Sequence, residues 1–255
     1  ARPTSGTTDY QAMLATRNID AVMISTTPES THYPIARDCL LAGKHVLIEK
    51  PIAETEEQAD ELIALAEQQG VELTIGYSQR WNPKLAYIRK ALQDGIIGKP
   101  VSVHLSRHLS RSLGAKISGR TKLSPAAMEA THDIDFLLWA LAPRKPVRVY
   151  CQNAYGVYKD VNGAADHAWI TITMDDGVTI NIGAGWILPP GFPNYCILKG
   201  EVLGTDGVLF IDDSGTDVTM NTMADGVHYP VSTMPGAYVD HVFVGPMAYE
   251  TDSFI

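Results

Sequence analysis

Residue types able to do chemistry concentrate at a few points of this 255-residue sequence. The sharpest is Gly43-Lys44-His45-Val46-Leu47-Ile48-Glu49-Lys50-Pro51, where an ionisable Glu-Lys pair directly follows an apolar run. Read as a strand, the run places that pair at its carboxyl end, the edge where open α/β sheets bind ligands. Pro51 restricts Lys50 to an extended backbone, which suits a side chain held over a crevice. Two exposed charges closing a strand ahead of a turn account for the same residues, so the motif alone leaves both readings open. Asp133 and Asp135 beside His132 suggest ligands, yet no cysteine or second histidine is near them in sequence. His104 and His108 have a metal-binding spacing for a helix. They fall in or just after a strand, however, where four residues span about 13 Å, too far to share one ion. No metal centre is expected.

The elements that must position these groups follow from the pattern of apolar residues. Thr7 or Thr8 can cap a helix through Tyr10, Met13 and Leu14. Ala21–Ile24 reads as a strand buried on both faces, followed by a helix through Ile35, Cys39 and Leu40 that stops at Gly43. His45–Ile48 is the next strand. Thr55 and Gln58 form a capping box for a helix with Ala59, Leu62, Ile63 and Ala66 on one face. Val71–Ile75 is a third strand. Strict alternation with short connections predicts parallel βαβ units. After Pro83 come a helix over 84–93, a strand Val101–Leu105, and a polar segment Ser106–Ser124 that reads as a loop. Pro125 opens a helix carrying Ile134, Leu137, Leu138 and Leu141. Beyond Pro146 nearly everything reads as strand: 147–152, 167–174, 178–184, 195–203 and 208–211, with hairpin turns at Asp175-Asp176-Gly177 and Thr205-Asp206-Gly207. Tyr249–Ile255 reads as the opening of a helix. The predicted fold class is α/β: an incomplete Rossmann-type parallel sheet over residues 1–80, then an α+β domain with a large, mainly antiparallel open sheet over 81–255.

Composition narrows the function. The sequence is 45% hydrophobic, ample for a core, and carries 20 Lys+Arg against 29 Asp+Glu. A net charge of -9 without a basic run disfavours nucleic acid, whose phosphates require positive surface. No apolar stretch approaches the ~18 residues of a membrane span, and Ala1–Gly6 lacks the apolar core of a signal peptide. Cys39, Cys151 and Cys196 stand far apart with no C-x-x-C pair, which fits a reducing, cytoplasmic setting better than a disulfide framework.

Taken together, several blocks resemble the Gfo/Idh/MocA family of oxidoreductases. They are Asp20-Ala21-Val22-Met23-Ile24-Ser25-Thr26-Thr27-Pro28 through His32, then Ala42–Val46 and Glu49-Lys50-Pro51. Gly76-Tyr77-Ser78-Gln79-Arg80-Trp81-Asn82-Pro83 is similar to the family's inter-domain segment. His132-Asp133-Ile134-Asp135 with Leu138-Trp139 is similar to its active-site helix, and Gly204–Gly207 to a late glycine turn. The resemblance implies a dinucleotide-binding domain with NAD or NADP as cofactor, and a second domain whose open sheet often mediates oligomers. A homodimer or homotetramer is therefore expected. It implies oxidation of a secondary alcohol on a sugar, inositol or related polyol by hydride transfer. By that analogy Lys50 contacts the substrate hydroxyl and the nicotinamide ribose, and Glu49 positions Lys50 and the cofactor. Thr27 and Pro28 line the cofactor's ribose and His32 stands near the same crevice. His132 is the acid/base that exchanges a proton with the substrate oxygen. Arg80 stacks near the nicotinamide or substrate, or is a surface charge at the domain junction. The residue types suit the chemistry: imidazole titrates near operating pH, and an ammonium stabilises an alkoxide as hydride leaves.

Three departures qualify the analogy. The family often carries an aspartate four residues before the active-site histidine; here Met128 stands there, with Glu129 the nearest carboxylate. The family's adjacent glycines are replaced by Ser124-Pro125-Ala126-Ala127. The fingerprint G-x-G-x-x-G that meets the pyrophosphate does not precede Asp20. The matched blocks begin partway through a first domain, so about 50 residues of βα units are expected ahead of Ala1, and further helices beyond Ile255. The alternative is a non-catalytic or truncated relative acting as a sugar-binding or self-associating module.

Overall fold

The computed structural model describes residues 6–16, 18–121, 123–192, 194–213, 220–222, 226–228, 237–239 and 242–254. The start of the chain and Ile255, read above from sequence, lie outside these. The chain forms two compact units, one from Ala1 to Tyr77 and one from Ser78 to Ser253. The division falls ahead of Arg80 rather than after it.

The first unit runs α1 (Tyr10–Leu14), β1 (Ala21–Ile24), α2 (His32–Leu41), β2 (His45–Ile48), α3 (Glu56–Gln69) and β3 (Leu73–Ile75). Its sheet has the order β1-β2-β3 and both pairs are parallel, with Ile24 opposite Ile48 and Ile48 opposite Ile75. Asp9 caps α1, its Oδ1 accepting from Ala12 N at 3.0 Å, in place of the expected Thr7 or Thr8. Thr55 accepts from Gln58 N at 3.3 Å and caps α3, while Gly70 closes that helix at φ +66°, a backbone that favours glycine. Ile24, Leu40, Val46, Ile48 and Leu62 form the core between sheet and helices. β1 is not buried on both faces as expected: Met23 is 52% exposed, and the strand alternates, with Val22 and Ile24 turned inward.

The second unit contains α4 (Pro83–Gln93), β4 (Pro100–Ser110), α5 (Arg111–Arg120), α6 (Pro125–Met128), α7 (Ala130–Leu141), β5 (Pro146–Ala154), α8 (Lys159–Asn162), β6 (His167–Met174), β7 (Thr179–Leu188), β8 (Cys196–Gly204) and β9 (Val208–Asp212). Further on come two short antiparallel hairpins, β10 (Met220–Thr222) with β11 (Gly226–His228) and β12 (Ala237–Val239) with β13 (Val242–Val244). The chain then enters α9 (Pro246–Phe254). The six-stranded sheet has the order β5-β6-β7-β4-β8-β9, antiparallel throughout except for the β4–β7 pair. Alternation along each strand sends Val103, Leu105, Ile170, Ile172, Ile180, Ile182, Leu198 and Val202 to one face, where they pack with Leu85 and Ile88 of α4 and Phe136, Leu137 and Leu141 of α7. The other face is left to His104, His108, His167, Trp169, Tyr150 and Phe210. There the side chains of β6 lie down over glycines of β7. A Cβ on Gly183 would come within 2.7 Å of the Trp169 ring, and one on Gly185 within 2.7 Å of the His167 ring. His167 in turn stacks on His108 at 5.3 Å, and His104 on Trp169 at 5.8 Å.

Two sequence expectations fail here. Ser106–Ser124 is not a loop: β4 continues to Ser110 and α5 follows, capped by Ser110 Oγ accepting from Leu113 N at 3.4 Å. The helix expected from Pro125 is two, broken at Glu129, whose φ of -111° interrupts the run.

Candidate active site

In the first unit the carboxyl ends of the strands carry the residues singled out from sequence. β1 leads into exposed Thr27 and Pro28, and β2 into half-buried Glu49, Lys50 and Pro51. Glu49 N donates to Ile24 O at 2.8 Å, so the β1–β2 ladder extends to the first of the three. The Glu49 carboxylate folds back, its Oε2 accepting from Lys50 N at 3.2 Å. Gly76, just past β3, makes room for it: a Cβ there would lie 3.3 Å from Glu49 Cδ and Oε2. Gly76 N meanwhile donates to Ile48 O at 2.7 Å, tying the ends of β2 and β3. His32, 1% exposed, opens α2 beneath these loops. Its Nδ1 lies 2.7 Å from Pro51 O and its Nε2 3.0 Å from Thr26 O. Both ring nitrogens are thereby occupied by backbone, so His32 bears on the crevice through the loops it holds. Thr31 Oγ1 adds a brace, donating to Pro28 O at 2.7 Å.

In the second unit His132 stands half-buried in the first turn of α7. Two guanidinium clamps hold this turn. Arg107 of β4 donates from Nε and Nη2 to Asp133 at 2.9 and 2.6 Å, with both side chains buried. Arg80 donates from Nε and Nη2 to Asp135 at 2.8 and 2.6 Å. At about 100° per residue, Asp133 and Asp135 leave the helix about 160° apart by the shorter way round, and His132 lies in that arc. Arg80 also lies 5.5 Å from the ring centroid of Trp139, over which Arg89 sits at 4.1 Å. One edge of the Arg80 guanidinium is thus committed to Asp135, and the group also lies near Trp139, both on the helix that carries His132.

Electrostatics at this end of α7 are dominated by the buried pair. Burial alone would lower the Arg107 pKa; Asp133 more than reverses that, so the guanidinium is held cationic even more firmly than in water. Burial pushes the Cys196 thiol upward, against the pull of Arg107, whose Nη1 is 3.9 Å from Cys196 Sγ.

The fate of Met128 follows from packing. It is 2% exposed and joins Leu109, Ile117, Tyr158 and Trp186 in a separate apolar cluster under α6. Trp186 Nε1 donates to Ala165 O at 2.8 Å and Tyr158 Oη to Arg111 O at 2.6 Å, which satisfies the polar ends of both. Tyr158 and Trp186 are therefore core. Glu129, 5% exposed, sits at the break, and its carbonyl accepts from His132 N at 3.3 Å. Sequence reasoning missed Arg107 because it ended the strand at Leu105. Continuing the period of two would have turned Arg107 inward with Val103 and Leu105, a lone cation needing a buried carboxylate. Among the described residues, no group of three or more His, Cys, Asp and Glu side chains has the placement to hold a metal ion. Nor is any helix among them long and apolar enough to cross a membrane.

Comparison with known proteins places these features. Residues 3–77 match the family described as an oxidoreductase family with an NAD-binding Rossmann fold, and residues 85–210 match the GFO/IDH/MocA C-terminal domain. The chain is 30% identical over 194 residues to inositol 2-dehydrogenase 1 of Saccharopolyspora erythraea, covering 76% of this chain and 56% of that protein. It is 34% identical over 178 residues to the UDP-N-acetylglucosamine 3-dehydrogenase of Acidithiobacillus ferrooxidans, covering 69% of this chain and 51% of that one. The chain thus spans about half the length of these curated relatives. Among solved structures, scyllo-inositol dehydrogenase from Lactobacillus casei with bound NAD(H) and scyllo-inositol shares the fold at a TM-score of 0.79 and 20% identity, covering 96% of this chain and 72% of that one. A Rossmann-type parallel sheet with Glu49-Lys50-Pro51 at its carboxyl edge, followed by this mixed six-stranded sheet and His132 helix, makes the chain a member of the Gfo/Idh/MocA oxidoreductase family.

Proposed function

We propose that the protein oxidises a secondary alcohol of a sugar, inositol or related polyol by hydride transfer to NAD or NADP. The observation that carries this reading is the seating of Lys50 just past the middle strand of an NAD-binding parallel sheet, on a loop braced by His32. The names of the relatives, inositol and amino-sugar dehydrogenases, support the substrate class.

The residues present fit a nicotinamide nucleotide over the part of the crevice they form. Thr27 and Pro28 are exposed at one strand end, and the glycine at position 76 keeps the neighbouring strand end clear of Glu49. Thr27, Pro28, Glu49 and Lys50 would hold its ribose side, with His32 acting through the two loops. The nicotinamide, when bound, supplies the acceptor for the hydride that leaves the carbinol carbon. Lys50 donates a hydrogen bond to the substrate oxygen and stabilises the negative charge that develops there. His132 takes the hydroxyl proton on an imidazole nitrogen and returns it in the reverse reaction. Arg80, taken up by Asp135 and Trp139, supports α7 rather than the cofactor directly. The protein works as a cytoplasmic homodimer or homotetramer joined through the open sheet face.

The test is a Lys50→Ala protein assayed with NAD and NADP against a panel of inositols and sugars. Loss of about 10²–10³ in kcat with an unchanged unfolding temperature is expected; full activity would sink the assignment. One observation favours a second reading, a non-catalytic relative: Met128 is packed into an apolar cluster where a polarising carboxylate would be needed. Absence of nicotinamide binding by the natural full-length protein would bring that reading forward.

A further inference from the structure

The inward face of β4 presents Val103, Leu105, Arg107 and Leu109, three apolar side chains and one guanidinium. Arg107 is 3% exposed and Asp133 0%. Glu129 is a second buried carboxylate. It precedes Asp133 by one helical turn and His132 by three residues, spacings at which side chains are neighbours, and its charge is felt at Arg107. The Arg107 charge is therefore paired with one buried carboxylate and felt by a second, and the two flank His132 along the chain. Such a pair contributes little net stability, because the loss of hydration offsets most of the attraction. Its effect is on geometry and charge. With Asp133 held at both oxygens, α7 cannot rotate on β4, and the next side chain, His132, keeps one bearing.

We propose that Arg107 is a positioning residue for His132: through Asp133 and Glu129 it fixes the bearing of the imidazole and the charge around it. The catalytic consequence rests on the reading of His132 as acid/base. Among the described residues, the charged groups against this end of α7 are Arg107 from β4, Arg80 from the turn before α4, and the helix's own Glu129, Asp133 and Asp135; Cys196 of β8 and Tyr195 just ahead of it are further titratable groups that feel Arg107. Removing Arg107 leaves the Asp133 carboxylate without the guanidinium that neutralises it and favours imidazolium. Removing the Asp133 charge leaves the guanidinium in excess and favours the neutral ring.

The experiment is an NMR titration of the histidine imidazoles in the full chain, with the His132 signal assigned by its loss in His132→Asn. Arg107→Met is expected to raise the His132 midpoint by about one pH unit and Asp133→Asn to lower it by a similar amount. Arg107→Lys, which keeps the charge and loses the fork, is expected to restore the midpoint to near the unsubstituted value while kcat stays low and KM changes little. If Arg107→Met does not fold, Asp133→Asn and Arg107→Lys carry the test. Midpoints that do not move, or that move in the same direction in Arg107→Met and Asp133→Asn, overturn the proposal. Undiminished turnover by His132→Asn instead overturns the acid/base reading on which its catalytic meaning rests, so the two failures are told apart.

Discussion

His32 joins the loop after β1 to the loop after β2: its Nδ1 lies 2.7 Å from Pro51 O while its Nε2 lies 3.0 Å from Thr26 O. Both partners are backbone carbonyls, so the ring N–H donates to one of them and the tautomer decides which. The loops it spans carry Thr27 and Pro28 on one side and Lys50 on the other. The histidine expected near the crevice thus fastens together the two loops that carry Thr27, Pro28 and Lys50.

His32→Phe keeps the ring's bulk and removes the imidazole's polar contacts to the two loops, leaving a buried carbonyl without its donor. The expected loss is about 1–3 kcal/mol of stability, read as a lower urea midpoint. Nicotinamide binding by the full-length protein should weaken about tenfold or more in the same variant. An unchanged urea midpoint would mean that the carbonyl finds another donor.

The alternation of strand and helix over the first eighty residues was readable because each element has a clear period and a clear stop: Gly43 and Gly70 stand where α2 and α3 end. What escaped was governed by partners far away in sequence. β4 beyond Leu105 looks polar because its outward positions face no layer of the same unit and its one inward polar residue, Arg107, is neutralised by Asp133 on α7. The helix from Pro125 looks continuous because nothing local marks Glu129 as a break. Met128 gives no sign in the sequence of being a core residue, because Leu109, Ile117, Tyr158 and Trp186, which pack with it, are distant along the chain. Of the site, Lys50 and His132 were legible as residue types in a recognisable order; the clamps that orient α7 were not, since each joins positions 26 and 55 residues apart.

Two glycines in α5 give a paired test of packing. A Cβ on Gly114 would lie 2.7 Å from Trp186 O and 2.8 Å from Trp186 Cβ, backbone and stem atoms that cannot swing aside, whereas one on Gly119 meets nothing within 4 Å. Gly114→Ala should therefore destabilise by about 1–3 kcal/mol through overpacking. Gly119→Ala should be neutral or stabilise by up to ~1 kcal/mol, since alanine is the better helix former. Thermal unfolding of the two single variants checks the opposite signs; equal losses would show that the α5 backbone, rather than the Trp186 contact, sets the cost.

The open face of the six-stranded sheet leaves Tyr150 64%, Trp169 47% and Phe210 73% exposed. The register places all three on that one face. Large apolar side chains gathered on one face are the usual mark of an association surface. Phe210→Asp should shift the protein toward smaller species in sedimentation velocity at micromolar concentration, while leaving the unfolding temperature of the monomer nearly unchanged. A chain that is already monomeric before substitution would refute the expected dimer or tetramer.

The stacked pair His108 and His167 on the same face makes stability depend on pH in a definite direction. Burial lowers the pKa of His108; burial, then the neighbouring His108, lowers that of His167. With folded values below the ordinary 6.5, the unfolded chain binds more protons in the window beneath that value. Stability is then full above about pH 6.5 and falls as the pH drops from there toward the folded pKa values. Urea midpoints measured at steps from pH 7.5 to 5 should decline over that window. His108→Gln removes one of the two groups and relieves the other of its neighbour, so it should flatten the decline. A midpoint that holds steady down to pH 5 in the unsubstituted chain would show that neither imidazole resists protonation in the fold.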